Sequence, residues 1–374
     1  MSVLDRKKAW LILKDGTVYE GKSIGVEGKS LGELVCSTAM TGYQETLTDS
    51  GYYGQLVTQT FPMIGNYGVN SFDSGSKPVW AKGYVVRELC EEPSNFRCEG
   101  TLEGFLKEKG VVGICDVDTR AITRKLRKNG VMNAAIVTEY PADAAAMAAL
   151  LQEIASYSPA GGAAAVSCKK AHAVACDNPR HTVVVYDLGA IGNLVKGLLA
   201  RHCNVIMVPC NASLKDVLQY HPDAFVLSNG PGSPEELPET LAVVKDLMET
   251  GLPLYGVGLG HQVMALAAGA KVEKMVYGHR GGNQPVRNLS MDKVLITSQN
   301  HGYVVTDLPE EAGTVSHVNV NDNSCEGIRY SCCNGFSVQF LPETSGGPLD
   351  THYLLDELVS RILANKQKQN FKQK

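Results

Sequence analysis

Residues 252–270 read LPLYGVGLGHQVMALAAGA. The apolar run ending at Val257 fits a short buried strand, and the stretch from His261 to Ala268 fits a helix. Between them Gly256, Gly258 and Gly260 alternate with larger residues. A strand that turns directly into a helix crowds its backbone, so small residues are needed on either side of the apex. The helix N-terminus then directs partial positive charge at whatever lies above it. Such an elbow ordinarily displays a nucleophile at its apex, yet the apex residue here is Gly258. Read in isolation, the same pattern is equally a tight βα turn with no chemistry.

Working outward, the sequence from His181 alternates apolar strands with helices: TVVVYDLG, NLVKGLLARH, NVIMVP, SLKDVLQYH, DAFVLSNGPG, a helix over about 239–250, and PLYGVG. Repeated βα units with apolar strands imply an α/β domain, with a mainly parallel sheet covered by helices on both faces. In such sheets ligands bind at the carboxyl ends of the strands. The preceding sequence mixes short strands (AWLILKDGTVYEG, KGYVVREL) with turn-rich stretches and reads as a smaller α+β domain. Within it, Asp118 or Thr119 is placed to cap a helix carrying Ile122 and Leu126. Residues 157–181 lose periodicity and gain small residues, which predicts a linker. The expected organisation is therefore an N-terminal domain over 1–156, a linker over 157–181, an α/β domain over 182–365 and a basic, solvated tail over 366–374.

The chain has 374 residues, 44% of them hydrophobic, enough to bury a sizeable core. Its formal net charge of −4 gives no electrostatic reason to expect nucleic acid or an anionic membrane as a partner. The N-terminal sequence enters strand-like alternation at once, and its apolar part is too short for a signal peptide or a membrane span. A cytoplasmic location is expected. The eleven cysteines are scattered, with no Cys-x-x-Cys or Cys/His spacing, so they read as reduced, mostly buried thiols and no metal is expected.

Three further stretches give the elbow its meaning. LSNGPGSP places Gly230 and Gly232 around Pro231 after a strand, where free peptide N–H groups can meet an oxyanion. TSQNHGYVV carries Asn300, His301, Gly302 and Tyr303, and SVQFLPETSGGP carries Leu341 and Glu343. Together with GLGHQVMALAAGAKVEKMVYGHRGGNQPV and YDLGA, the order and spacing closely resemble the class I glutamine amidotransferases, and among them the small-subunit family of carbamoyl-phosphate synthases. The resemblance extends through the first domain in AMTGYQETLTDSGYYGQLVTQTFPMIGNYGVN, PSNFR and DVDTRAITRKLR.

That resemblance implies a cysteine at the elbow apex that attacks the glutamine amide, a histidine as general base and acid, and a glutamate that orients it. Backbone N–H groups after the nucleophile and in the glycine loop would form the oxyanion hole. Ammonia would pass to a large synthetase subunit, on which ATP and magnesium are expected. This chain itself is expected to carry no cofactor.

The sequence departs from the family pattern at the reacting positions. Where the family reads G-I/V-C-L-G-H-Q this chain has Gly258, and at the histidine of H-P-E it has Leu341, so only Glu343 of the three is left, as a remnant. Glycine has no atom to attack with, and leucine can neither accept nor donate a proton. Losing the nucleophile or base of such a set costs on the order of 10⁶ in turnover. A serine of the family's glutamine-contacting segment is Ala39 here, a degenerate binding position, and a lysine of G-A-K-x-N is Ile191. No cysteine lies in the elbow, and His261, His279 and His301 read as pocket-wall or structural residues rather than replacement bases.

By the same resemblance the binding shell survives in Gly230, Gly232, Leu259, Gln262, Asn300, Gly302 and Tyr303, so L-glutamine could bind without turnover. Three readings follow. The chain is a small subunit that docks on an ammonia-using large subunit without hydrolysing glutamine; or an active glutaminase subunit, serving pyrimidine or arginine synthesis, whose replaced residues are compensated elsewhere; or a stand-alone scaffold or sensor.

Overall fold

Alternating burial along strands decides which layers form, and it does so separately in two units of the computed structural model, residues 1–160 and 161–374. The structure describes residues 6–76, 78–159, 161–342, 348 and 350–372, with residues 371 and 372 described for their backbone only.

The first unit contains β1 Lys8–Leu13, β2 Val18–Gly25, β3 Lys29–Ser37, β4 Gln55–Gln59, β5 Met63–Ile64, β6 Gly83–Val85, β7 Glu88–Leu89, β8 Val112–Cys115 and β9 Met132–Val137. Its helices are α1 Tyr43–Thr48, α2 Leu102–Glu108, α3 Thr119–Asn129 and α4 Ala144–Ser156. Seven strands close a barrel in the order β1-β2-β8-β6-β4-β3-β9, which leaves those strands no open edge. The cap of α3 is Asp118, whose side chain accepts from the Ala121 N–H at 2.9 Å, while Ile122 and Leu126 turn inward.

The second unit runs α5 Gly162–Val166, β10 His172–Val174, β11 His181–Asp187, α6 Gly192–Leu199, β12 Cys203–Pro209, α7 Leu214–Leu218, β13 Ala224–Leu227, α8 Pro238–Glu249, β14 Leu254–Val257 and α9 Leu259–Ala267. It continues with β15 Lys271–Asn288, β16 Lys293–Thr306, β17 Gly313–Asn319, β18 Cys325–Tyr330, β19 Gly335–Val338 and α10 Tyr353–Lys372. Strands β12, β11, β13, β14 and β19 pair in parallel. Successive residues of these strands serve opposite faces. Val184, Tyr186, Phe225 and Leu227 pack with Val244, Leu247 and Val263 of α8 and α9. Val183, Val185, Val226 and Val257 pack with Leu194 and Leu198 of α6 and with Leu355, Leu358 and Ile362 of α10. Helices therefore cover both faces, as two-sided apolar strands require.

Beyond β19 the sheet continues antiparallel through β18, β16, β15 and β17, dominated by the long β15–β16 hairpin. The chain order reverses between β11 and β13, because β12 lies on one side of β11 and β13 on the other. That reversal opens a crevice at the carboxyl ends, where the elbow lies.

Two expected boundaries need correction. Residues 157–181 are not a free linker: α5 falls inside them, and β10 pairs antiparallel with β12 as an edge strand of the second unit. Pairing satisfies the outer hydrogen-bonding groups of β12, a contact between distant segments that local composition does not encode. The start of the expected tail is helical and anchored: α10 continues to Lys372, and Lys366 Nζ lies 2.8 Å from Asp223 Oδ2 and 3.3 Å from the Arg180 carbonyl, while residues 367–370 are exposed as expected. No helix among the described residues is long and apolar enough to cross a membrane.

Gly260 is the tightest point of the elbow: a Cβ built there would sit 2.2 Å from the Leu227 carbonyl oxygen. Gly260→Ala should therefore lower unfolding stability by about 2 kcal/mol or more, through overpacking that backbone cannot relieve. Chemical denaturation of the variant checks this, and an unchanged midpoint would show the approach to be compliant.

Candidate functional site

Strand β14 ends at Val257 and α9 begins at Leu259, so Gly258 alone makes the turn, with φ +56° and ψ −112°. This is the left-handed side of backbone space, which side chains rarely occupy and which elbows hold under strain. The Gly258 N–H donates to the Val338 carbonyl of β19 at 2.9 Å, and the Gly260 N–H donates to the Ser228 carbonyl at 3.1 Å. The turn is thus clamped by the strands on both sides. As the first residue of α9, Leu259 has a backbone N–H with no acceptor within the helix.

Two side chains, Asn229 and Leu341, face the apex. A Cβ built on Gly258 would lie 3.2 Å from Asn229 Cβ and 3.8 Å from Leu341 Cδ2. Gly258 and Leu341 therefore meet across the crevice, although 83 residues of sequence separate them. Leu341 is 6% exposed and belongs to the same buried apolar cluster as Val257, Val338 and Leu354. Its backbone N–H donates to Ser298 of β16 at 2.8 Å. Neither position offers a group that can exchange a proton. Glu343 lies outside the described residues.

The glycine loop after β13 is held by an amide the sequence reading did not single out. Asn229 is 4% exposed; its Nδ2 donates to the Gly189 carbonyl at 3.2 Å and its Oδ1 accepts from the Ile191 N–H at 3.4 Å. Asp187 accepts from the Gly189 and Ala190 N–H groups at 3.1 and 2.8 Å. These bonds tie the loop after β11 to the loop after β13 across the crevice. Gly230 is obligatory, since a Cβ there would meet the Leu188 carbonyl oxygen at 2.0 Å, and Gly232 has φ +93°. Asn229 was in view within LSNGPGSP, but only the cross-crevice bonds reveal its role.

Gln262, on α9, is buried, and its Nε2 donates to the Tyr303 carbonyl at 3.2 Å and to Gln339 Oε1 at 2.9 Å. It ties the elbow helix to β16. Asn300, Gly302 and Tyr303 are half-buried along β16; strand alternation gives Asn300 and Gly302 one face and Tyr303 the other. Ala39 belongs to the first unit, where its carbonyl accepts from Gln59 Nε2 at 2.6 Å. His261 is fully buried in α9, with Nδ1 2.7 Å from Ser337 Oγ and no hydrogen-bond partner for Nε2 among the described residues. Burial depresses its pKa to about 3, so the ring is neutral and has no water within reach. It is a core residue, not a substitute base.

Comparison with known proteins finds relatives over nearly the whole chain. Residues 11–136 match the family model described as carbamoyl-phosphate synthase small chain, CPSase domain, and residues 184–360 match that of glutamine amidotransferase class-I. The chain is similar to a carbamoyl phosphate synthase small chain of Fusobacterium nucleatum, with 44% identity over 94% of this chain and 97% of the relative. It is also similar to the carbamoyl phosphate synthase pyrimidine-specific small chain of Bacillus subtilis, with 41% identity over 95% of this chain and 96% of the relative. Among solved structures, a glutamine amidotransferase from Thermotoga maritima aligns with 18% identity and a TM-score of 0.37, over 52% of this chain and 85% of that one.

Buried neutral histidines make stability pH-dependent. Burial lowers His261 to about 3 and His317 to about 4, from an ordinary value of 6.5. The unfolded chain then binds more protons than the folded one between those values, so stability is fully present above about pH 6.5 and falls as pH drops toward 4. One such histidine accounts for about 2 kcal/mol of loss by about pH 5. Denaturation at neutral pH and at about pH 5 should show a smaller loss for His261→Asn than for the parent chain; equal losses would contradict the assignment.

Proposed function

The chain belongs to the carbamoyl phosphate synthase small-chain family, and on that premise we propose that it docks on a large synthetase subunit without hydrolysing glutamine. The large subunit of that complex would bind ATP and magnesium and draw on free ammonia, in the cytoplasm. Its carbamoyl phosphate would serve pyrimidine or arginine biosynthesis; the Bacillus subtilis relative is pyrimidine-specific by name.

One observation carries the reading. The two positions that would attack the amide and move its proton face each other at the apex, and they are a glycine and a buried leucine. Acyl transfer from an amide needs a nucleophile to form the new bond and an acid to protonate the departing nitrogen. With both groups gone, stabilisation of an oxyanion has no intermediate to act on.

Binding is a separate matter. On this reading the Leu259 N–H, the loop at Gly230 and Gly232, and the β16 segment Asn300, Gly302 and Tyr303 would cradle the α-amino acid end and the amide of L-glutamine. Gln262 supports that wall by holding the Tyr303 carbonyl. On this reading glutamine binds without turnover.

Ammonia release from glutamine, by the chain alone and with a large subunit, should not exceed the uncatalysed background. Turnover like that of a competent amidotransferase would overturn the proposal. Gly258→Cys alone should lower stability by about 1–3 kcal/mol, because it puts a side chain at φ +56°. It should leave hydrolysis absent, since Leu341 offers no base. Gly258→Cys combined with Leu341→His should restore measurable release if the binding shell is intact; a stable, folded double variant with no glutamine affinity by calorimetry would show that the shell has been lost as well.

A further inference from the structure

Away from the elbow, the antiparallel half of the second unit buries a cluster that core packing does not explain. His279 of β15, His301 of β16 and Glu326 of β18 each offer one ligand atom, and these atoms all lie within 4.8 Å of one another. His279 and His301 are direct cross-strand partners, with ring centroids 5.0 Å apart and planes perpendicular. Glu326 is fully buried, and its Oε2 has no hydrogen-bond partner among the described residues. A desolvated carboxylate oxygen left without a partner is destabilising, and something must compensate it.

The two imidazoles are oriented from behind. His279 Nε2 lies 2.9 Å from Asp322 Oδ2, so that nitrogen carries the proton and Nδ1 faces Glu326 Oε1 at 3.4 Å. His301 Nδ1 lies 2.8 Å from the Tyr303 carbonyl and Nε2 lies 3.0 Å from Gln299 Oε1, so Nε2 becomes a ligand only when the Gln299 amide turns aside and Nδ1 keeps the proton. Burial, with His279 and Arg280 nearby, keeps that ring neutral. A carboxylate behind one histidine and a carbonyl behind the other are the supports that metal-binding imidazoles normally have.

We propose that His279, His301 and Glu326 form a site for a divalent transition ion of the zinc class, with Asp322 and the Tyr303 carbonyl fixing the two rings. Tetrahedral zinc places its ligand atoms about 3.3 Å apart. The His279–Glu326 pair is already at 3.4 Å, and His301 completes the set by closing on them. Two imidazoles and one carboxylate suit zinc or cobalt rather than magnesium or calcium. Glu326 and Asp322, when ionised, supply two negative charges against the two of the ion. His279 is 12% exposed and Asp322 41%, which leaves a path from solvent.

The ion would be structural, pinning β15, β16 and β18 beside the Tyr303 segment. It is independent of whether glutamine is hydrolysed. His279 lies between the Asp322 and Glu326 carboxylates, 2.9 and 3.4 Å away.

The test is titration of the chelator-treated full chain with cobalt(II) or zinc(II) under reducing conditions. One cobalt should bind per chain, with visible d–d absorption and no thiolate charge-transfer band, and zinc should compete for it. Asp322→Asn, at the exposed end of the cluster, should keep the fold and weaken binding by about 10- to 100-fold. Glu326→Gln should weaken it at least as much. Absence of saturable binding would overturn the proposal. So would a thiolate-type spectrum whose affinity is indifferent to both substitutions, because one or more of the eleven free cysteines would then be the ligands.

Discussion

The backbone conformation of one residue, Gly258, governs the second unit. Its left-handed φ lets β14 end and α9 begin without an intervening loop, and this brings Gly260 against the Leu227 carbonyl and Gly256 against Met264 and the Gly260 backbone. Those approaches leave no room for a Cβ, so the glycines at 256 and 260 follow from the turn rather than from chemistry. Because the Gly258 N–H is bonded to Val338, the same turn also sets how β19 arrives, and with it where Leu341 points.

A geometry imposed by backbone contacts does not depend on the side chain it once served to display. At the apex the absence of a Cβ removes the strain that a side chain would feel at φ +56°. Opposite it, Leu341 extends an apolar cluster that already contains Val257, Val338 and Leu354. A glycine at this φ and a leucine in this cluster both suit the local backbone geometry and a dry core.

Much of the architecture could be read locally. The strands β11 to β14 are uninterrupted apolar runs, and burial on both faces is what such runs require. The α3 helix announces its start through Asp118 and its buried stripe through Ile122 and Leu126. Other features were hidden. The barrel closes through pairings such as β1 with β9, more than a hundred residues apart, and β10 is a strand only because the edge of β12 needs a partner. The tail reads as solvated charge until Lys366 meets Asp223. At the site, the glycines and Leu341 were legible by motif, whereas the bridging role of Asn229 was not.

By itself the sequence determined the family and the glycine pattern of the elbow, because these are carried by residue types at short, fixed spacings. Only the tertiary structure decided that Gly258 and Leu341 face one another, that Asn229 joins the two crevice loops, and that His279, His301 and Glu326 converge from three strands. The physical reason is that cross-strand register and sheet order are set by burial and hydrogen bonding between segments far apart in the chain. No local pattern encodes which distant residues will share a few ångströms of space.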